Sequence, residues 1–444
     1  MNLTGKYPTF RRHAPATNPY RVLGILFLLV LSLFLLRAVQ KEQIQSPFAP
    51  TPVPTRSSQS YTSEGETHFV AGNLPAAIQA YRKAAEVDPQ NANVRAELAR
   101  IQVYSSASLT TDAQKRERLL EARESINQAA ELAPENSYVH AVRALVLDWL
   151  SNPNIAGDQR ETYLTEAEQA AVRALQIDNQ NALALAYYAE LLLDQQKYLQ
   201  AEQYIRQAIE RDPSLMDVHR VNGLVMETLG DYGTAIEEYK RAIEITPNLT
   251  FLYLNIGVNY RQLKQYDIAL EYFAKAASIN EQLAINDPIP YLAIGKTYSQ
   301  TGEFFAAAQN VRKALNFDPT NPDVYGSLGV IYFKSRNYEG AIPALKCAVR
   351  GCTAQESCDV RRCNPATEPE IEIKGLPLSG STVVYYFTYG SVLAGMHRPT
   401  DENNYCEEAM KVLREVRAGF ANDPTIIQIV EASEQICASF GFTR

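Results

Sequence analysis

The pattern of apolar and polar residues divides the chain into an unbroken apolar segment near the N-terminus and a long region with helical periodicity. Residues 22–36 contain no charged side chain. From about residue 58 onward, small and aromatic residues recur at helical spacing, as Ala235, Tyr239 and Ala242 do at positions i, i+4 and i+7. The pattern predicts a succession of helices that each bury one face.

Residues 216–249 show the unit that repeats. Gly223 lies where two helices must approach closely, Gly230 ends the first helix, Tyr232 begins the second, and Pro247 ends the unit. The same order recurs with a period of 34 residues. A fixed period of this length predicts one elongated array of stacked units rather than two or three globular domains.

Eight such units are predicted over residues 58–351. The second and third units are longer, with 45 residues between equivalent positions, and the excess lies around residues 105–112 and 151–159. We interpret both as enlarged turns between the two helices of a unit. Residues 352–381 are predicted to be a cysteine-containing loop, and residues 382–444 a degenerate repeat followed by a C-terminal capping helix.

The period and the order of glycine, aromatic, alanine and proline residues resemble the tetratricopeptide repeat, a helix-turn-helix module. The resemblance implies an all-α fold, a right-handed superhelical solenoid of antiparallel helix pairs. It also implies a concave groove, lined by the first helix of each unit, that holds an extended peptide or a partner helix. Some family members clamp a peptide carboxylate there, but that clamp is not expected in this chain. The positions where its donors would be needed hold Ala186, Glu190, Ile289 and Ala293.

On the first helix of each unit, the face next to the one that packs on the second helix is expected to line this groove. Over units six to eight the side chains of this face are largely apolar, and a soluble protein rarely leaves such a strip open. The predicted partner-binding residues are Arg220, Glu227, Phe251, Leu254, Val258, Arg261, Ile289, Leu292, Lys296, Val330 and Phe333. In the alternative interpretation, the chain fills its own groove with residues 364–380.

The apolar segment predicts a transmembrane signal anchor over residues 22–39. Four basic residues within residues 1–21 place the N-terminus in the cytoplasm by the positive-inside rule. Residues 40–57, rich in proline and serine, predict an extended linker. A cleaved signal peptide is the alternative, because the apolar core is short, but no small-residue cleavage site follows it. The predicted localisation is the cell membrane, single-pass, with the repeats outside the cytoplasm.

Net charge argues against a nucleic-acid partner. The formal net charge of the whole chain is −8. Because the first 39 residues hold only basic charges, the repeats are more acidic than the chain as a whole. An acidic array binds nucleic acid poorly.

Nothing in the sequence predicts catalysis. No nucleophile elbow, phosphate-binding loop or H-E-x-x-H motif occurs, and the five histidines lack the spacing of metal ligands. Most of the 26 tyrosines suit the packing positions of the repeat. We therefore expect no enzyme activity, no metal site and no cofactor.

The cysteines are segregated in the C-terminal quarter of the chain. They are Cys347, Cys352, Cys358, Cys363, Cys406 and Cys437. The alternatives are structural disulfides, a metal site and reactive thiols. The spacing of the cysteines does not suit a zinc site, because no C-x-x-C pair is present. Disulfides fit an extracytoplasmic location. Pairing of Cys406 with Cys437 would tie the last repeat to its cap, whereas the connectivity of the other four stays open.

These features together predict a non-enzymatic protein-protein interaction scaffold anchored in the membrane. Its partners would be other envelope or surface proteins, bound as an extended or helical segment in the concave groove. The alternative is a self-assembling structural subunit of a cell-surface or envelope assembly, because open solenoid ends and apolar grooves permit contacts between copies.

Overall fold

The computed structural model describes residues 18–40, 56–398 and 404–442. The chain forms two compact units that divide between Arg56 and Ser57. Most of the predicted linker, residues 41–55, lies outside the described residues, as do the basic residues Lys6, Arg11 and Arg12.

Within its described residues, the first unit contains the helix α1 (Pro19–Gln40), which is apolar throughout its middle. Its segment Pro19–Ala38 has a mean hydropathy of 2.2 and is long enough to cross a membrane. A secretory signal sequence near an N-terminus has the same length and composition. The helix therefore agrees with either a membrane anchor or a signal.

The second unit is a succession of helices. In chain order they are α2 (Ser58–Val70), α3 (Leu74–Val87), α4 (Ala92–Ser106), α5 (Asp112–Leu132), α6 (Ser137–Leu150), α7 (Pro153–Ala156), α8 (Arg160–Ile177), α9 (Ala182–Asp194), α10 (Tyr198–Arg211), α11 (Met216–Thr228), α12 (Tyr232–Ile245), α13 (Thr250–Gln262), α14 (Tyr266–Gln282), α15 (Ile289–Thr301), α16 (Phe304–Phe317), α17 (Pro322–Lys334), α18 (Tyr338–Val349), α19 (Ala354–Arg361), α20 (Val383–Met396), α21 (Tyr405–Gly419) and α22 (Pro424–Ala438).

Helices pack in pairs, and each pair packs on the next. The pairs are α2–α3, α4–α5, α6–α8, α9–α10, α11–α12, α13–α14, α15–α16 and α17–α18, followed by α20–α21 and the single helix α22. Strands within the described residues are limited to β1 (Gly351–Cys352) and β2 (Ile373–Lys374), which pair antiparallel. The all-α solenoid of helix pairs predicted from the sequence is confirmed.

A glycine facing a large side chain brings the two helices of a pair together. A methyl group added at Gly223 would lie 2.8 Å from the ring of Tyr239, and one at Gly257 would lie 2.4 Å from Phe273. Both distances are shorter than van der Waals contact, so no larger residue fits without movement of the ring. The close helix approach predicted at Gly223 is confirmed.

The turn between the two helices of a regular unit requires one residue with left-handed backbone. Glycine supplies it at Gly72, Gly230 and Gly302, with φ between 80° and 85°. Other residue types adopt the same conformation at the equivalent turns. These are Gln196, Lys264 and Arg336, with φ of 60° or 61°. The turn therefore persists where its glycine signal is missing from the sequence.

The two enlarged units differ from the regular ones in helix length as well as in their turns. Helix α5 has 21 residues and α8 has 18, whereas α12 of the fifth unit has 14. Between α6 and α8 the chain adds the short helix α7 and a 3₁₀ turn, Gly157–Gln159. The extra residues that were predicted to form enlarged turns are thus partly helical.

Several first helices are tied to the preceding turn by one recurring hydrogen bond. A ring nitrogen or phenol of the first helix donates to the carbonyl of a proline six residues earlier. The donor and acceptor pairs are His140 and Pro134, His219 and Pro213, Tyr253 and Pro247, and Tyr325 and Pro319. The proline that ends one unit therefore also fixes where the next helix begins.

We predict that His219 makes the stability of the fifth unit depend on pH. Its Nδ1 lies 2.7 Å from a carboxylate oxygen of Glu238 and its Nε2 lies 2.8 Å from the Pro213 carbonyl, so both nitrogens face acceptors. The hydrogen bond with Glu238 raises the pKa of His219 above its ordinary value, although burial opposes the shift. A raised histidine pKa stabilises the fold below the unfolded pKa of about 6.5, and this stabilisation is lost as pH rises through the folded pKa.

Amide hydrogen exchange in α11 and α12 should be measured from pH 6 to pH 8. Its rate should increase with pH by more than the intrinsic exchange rate does, and this extra increase is the excess that reports on His219. His219→Gln should abolish that excess. His140→Gln is the matched control, because Nδ1 of His140 has no hydrogen-bond partner among the described residues. An excess that survives in His219→Gln would contradict the assignment.

Candidate interaction surface

The inner surface of the array is formed by side chains that the first helices α4, α6, α9, α11, α13 and α15 turn toward one another. Helices distant in sequence meet there: Tyr104 of α4 stacks on Phe251 of α13, with ring centroids 5.4 Å apart. The chain is therefore curved tightly enough for its second unit to reach the fifth and sixth.

Asp217 of α11 is the centre of a buried polar cluster on this surface. It accepts hydrogen bonds from Arg100 Nη1 and the Tyr187 hydroxyl, each at 2.8 Å, and from the hydroxyl of Tyr104. Only 4% of Asp217 is exposed. Burial raises the pKa of Asp217, against the opposing charges of Arg100 and Arg220. Such a carboxylate is tolerable only because its donors converge on it.

Glu97 extends the cluster toward the first unit. It pairs with Arg100 and accepts a hydrogen bond from the hydroxyl of Tyr138. Burial alone would raise the pKa of Glu97, but the charge and hydrogen bonds of Arg100, with the hydrogen bond from Tyr138, hold it below its ordinary value. Glu97 therefore stays ionised as a partner of Arg100.

Two of the predicted partner-binding residues are occupied within the chain. Arg220 is 4% exposed and donates to both carboxylate oxygens of Glu190, at 2.9 and 2.6 Å. Glu227 accepts hydrogen bonds from Tyr239 at 3.1 Å and Asn259 at 2.8 Å. Arg220 is therefore buried against Glu190, whereas Glu227 stays partly exposed and uses one carboxylate oxygen for both of these hydrogen bonds.

The chain covers part of its own inner surface at units five and six, but not with residues 364–380, which the alternative interpretation named. Phe251 is covered by Tyr104 of α4. Residues 364–380 lie instead beside the eighth unit, where β2 pairs with β1 and the Leu376 N–H donates to the Ala348 carbonyl. The repeat pattern could not reveal this, because the contact depends on the curvature of the array.

The inner surface over units six and seven is only half covered. The side chains of Leu254, Val258, Ile289 and Leu292 are partly exposed there. Arg261 and Lys296 accompany them, and neither forms an ion pair within the described part of the chain. Burial lowers the pKa of Arg261, and burial together with the charge of Arg261 lowers the pKa of Lys296. These six residues define the open strip.

Unit eight is covered by α20. Val330 packs against the apolar cluster that α20 forms with α21. The Tyr385 ring of α20 lies where a methyl group on Gly326 would be, and its hydroxyl donates to Asp323 at 2.8 Å. Phe333 is 37% exposed at the edge, with its ring 6.0 Å from that of Tyr338. The open part of the surface predicted for a partner therefore extends over units six and seven, and not over unit eight.

The six cysteines lie in three pairs at disulfide distance. The pairs are Cys347 with Cys352, Cys358 with Cys363, and Cys406 with Cys437, with Cα atoms 4.7, 5.0 and 5.4 Å apart. The last pair joins α21 to α22, as argued from the sequence. The first two pairs close short loops around β1 and α19. Among the described residues, no group of three or more His, Cys, Asp or Glu side chains is arranged to hold a metal ion.

Family comparisons identify the helix pairs in the middle of the array. Sequence models described as tetratricopeptide repeat match residues 188–250 and residues 252–283. This part of the chain consists of tetratricopeptide repeats. The matched residues lie within units four to six, where the period is most regular. No curated protein matches the chain.

Several solved structures are similar in fold to these tetratricopeptide repeats. One is a thermophilic tetratricopeptide repeat protein of Thermus thermophilus, at 17% identity and TM-score 0.38, covering 46% of this chain and 98% of that one. Another is YrrB, a repeat protein with an unusual peptide-binding site, at 21% identity and TM-score 0.32, covering 44% of this chain and 94% of that one. The APC/C hetero-tetramer Cut9-Hcn1 covers 92% of this chain and 82% of that one at 15% identity and TM-score 0.46. TM-scores this low carry no functional inference.

We predict that Arg100 contributes far more to stability than a surface arginine of the same array. Arg100→Met would leave Asp217 and Glu97 buried without their cation, at a cost of about 3–5 kcal/mol in the free energy of unfolding. Arg82→Met is the matched control, because Arg82 pairs with Glu121 at 2.9 Å with both side chains exposed. The control should cost about 1 kcal/mol or less. Denaturant unfolding measures both, and equal costs would contradict the role of the buried cluster.

Proposed function

We propose that the chain is a membrane-anchored interaction scaffold whose repeats lie outside the cytoplasm and bind a protein segment along the open strip. The single observation that carries the proposal is the strip itself. It combines four partly exposed apolar side chains with two cations that have no acidic partner among the described residues. A partner with apolar anchors and a nearby carboxylate would satisfy both.

The anchor in this proposal is α1. A helix of 22 residues spans about 33 Å, close to the thickness of a bilayer's hydrocarbon core. Its middle is uncharged from Val22 to Leu36, with Arg21 and Arg37 at the ends where they can reach the interface. The excess of basic residues before the helix favours a cytoplasmic N-terminus.

The cysteine pairs support an extracytoplasmic array. All three pairs have the separation that a disulfide requires, and disulfides persist in oxidising compartments rather than in the cytosol.

The orientation can be tested by protease accessibility in intact cells. Protease added from outside, after any outer envelope is made permeable, should remove the repeats and leave a small fragment that contains α1. A tag at the N-terminus should remain protected until the inner membrane is lysed. Repeats that stay intact under these conditions would contradict the proposed orientation.

Docking on the open strip can be tested by site-directed photocrosslinking in the native membrane. A photoreactive residue in place of Lys296 should form an adduct with a second protein, whereas one in place of Phe305, which is 82% exposed on α16, should not. Leu254→Ser should reduce the Lys296 adduct by about fivefold, equivalent to about 1 kcal/mol. Phe251 is unsuitable for this test, because its substitution would also break the stack on Tyr104.

The identity of the adduct separates the two candidate functions. A different protein supports the scaffold, and a second copy of this chain supports the self-assembling subunit. Leu199, 77% exposed on the second helix α10, marks a surface that such an assembly could use. No adduct at Lys296, or an equal adduct at both positions, would reject docking on the strip.

A further inference from the structure

A small cavity lies between the two enlarged units and the fourth and fifth units. Its volume is about 280 Å³, and its walls include Ser106 of α4, Asp148 and Trp149 of α6, Ile155 of α7, and Glu190 and Asp194 of α9. This cavity is separate from the open strip on α13 and α15.

The cavity is made by segments that regular units lack. Ala107 in the enlarged α4–α5 turn, and Asn152 and Ile155 in the α6–α8 connection, all line it. A regular unit, such as α11–α12, joins its helices by three residues and has no chain there to form a wall. The extra length in units two and three therefore encloses a space that the repeat itself does not provide.

Acidic side chains surround the cavity. Asp148 is only 2% exposed, and its Oδ1 has no hydrogen-bond partner among the described residues. Burial raises the pKa of Asp148 well above its usual range, and the charges of Asp194 and Glu190 raise it further. Asp194 is exposed at the end of α9, and a hydrogen bond between the two carboxyl groups also raises the pKa of Asp148.

The positive charges near the cavity leave Asp148 and Asp194 without an ion pair. Arg220 is bound to Glu190 at 2.9 and 2.6 Å, and Arg160 reaches the backbone carbonyl of Asp194 at 3.5 Å. Lys115 lines the cavity without forming an ion pair in the described part of the chain. Helices α4, α6 and α9 all end here, so their C-terminal carbonyls add further negative potential.

An aromatic face completes the site. The indole of Trp149 lines the cavity, and its N–H is fixed by a 3.1 Å hydrogen bond to Glu190. Carboxylates beside an indole ring are the groups that recognise guanidinium and ammonium ions. A volume of about 280 Å³ is smaller than most small-molecule sites and matches one long basic side chain.

We propose that this cavity binds one guanidinium or ammonium group, with Asp148 and Asp194 as its counter-charges and Trp149 as its aromatic wall. The occupant enters past Asp194, and its positive charge replaces the proton that Asp148 holds, which is released to solvent. The cation reaches the buried Oδ1 of Asp148, which gains the partner it lacks. Binding should therefore strengthen as pH rises, because Asp148 must ionise to bind the cation. The other charged groups that face it are Glu190, Arg220, Arg160 and Lys115.

Trp149 is the single tryptophan of the chain, so its fluorescence reports on this cavity alone. The full chain in detergent micelles is titrated with N-acetyl-arginine amide and with its neutral isostere N-acetyl-citrulline amide. The arginine compound should give a saturable change that strengthens between pH 5 and pH 7.5, and the citrulline compound should give none. An arginine within a short glycine-serine peptide then distinguishes the source of the cation. Binding by this peptide indicates a partner protein's side chain, and binding by the free amide alone indicates a small free cation.

Three variants test whether the charged side chains that line the cavity account for the binding. Asp148→Asn keeps a neutral hydrogen-bonding group, as in the protonated acid, so the fold should persist while affinity falls by about tenfold or more. Lys115→Met removes a like charge and should tighten binding. Glu210→Gln, on exposed α10 surface, is the control and should bind as the original chain does. Equal responses to arginine and citrulline, no saturable response, or unchanged affinity in Asp148→Asn would each overturn the proposal.

Discussion

The contact between a glycine of one helix and a large side chain of the next is the constraint on which the rest of the array depends. It sets how closely the helices of a pair approach at Gly223 and Tyr239 and again at Gly257 and Phe273. Because Gly65, Gly295 and Gly329 make the same kind of contact in other pairs, successive pairs stack with a similar rotation, and small rotations accumulate into curvature. That curvature brings α4 within reach of α11 and α13.

Because the array curves this far, side chains of its inner surface contact one another. Arg100 and Tyr104 meet Asp217 and Phe251, so charges and rings that would otherwise face a groove are buried against one another. Burial of an ion pair contributes little net stability, yet removal of one partner is costly. The polar cluster therefore acts mainly to specify which parts of the inner surface are closed, and it leaves the strip near Arg261 open.

The sequence predicted the repeat units and the helical class well, because glycine, alanine and proline mark local requirements that hold in every unit. It could not predict the contact between Arg100 and Asp217, because nothing in the sequence around them distinguishes a residue that faces a groove from one that is buried. The same limit explains Arg220, predicted for a partner and found on Glu190. It also explains Val330, which α20 covers after an interruption whose path the repeat does not specify.

The contact between Thr110 and Asp318 joins residues that are 208 positions apart, and the Arg100–Asp217 pair joins residues 117 apart. A repeat protein usually folds through contacts between neighbours, so that any part of it can form or unravel by itself. Contacts of such long sequence separation form slowly, because the intervening chain must first lose its freedom. Once formed, they couple the second unit of the array to the fifth and the seventh. This array should therefore unfold more nearly as one cooperative body than an open solenoid of the same length does.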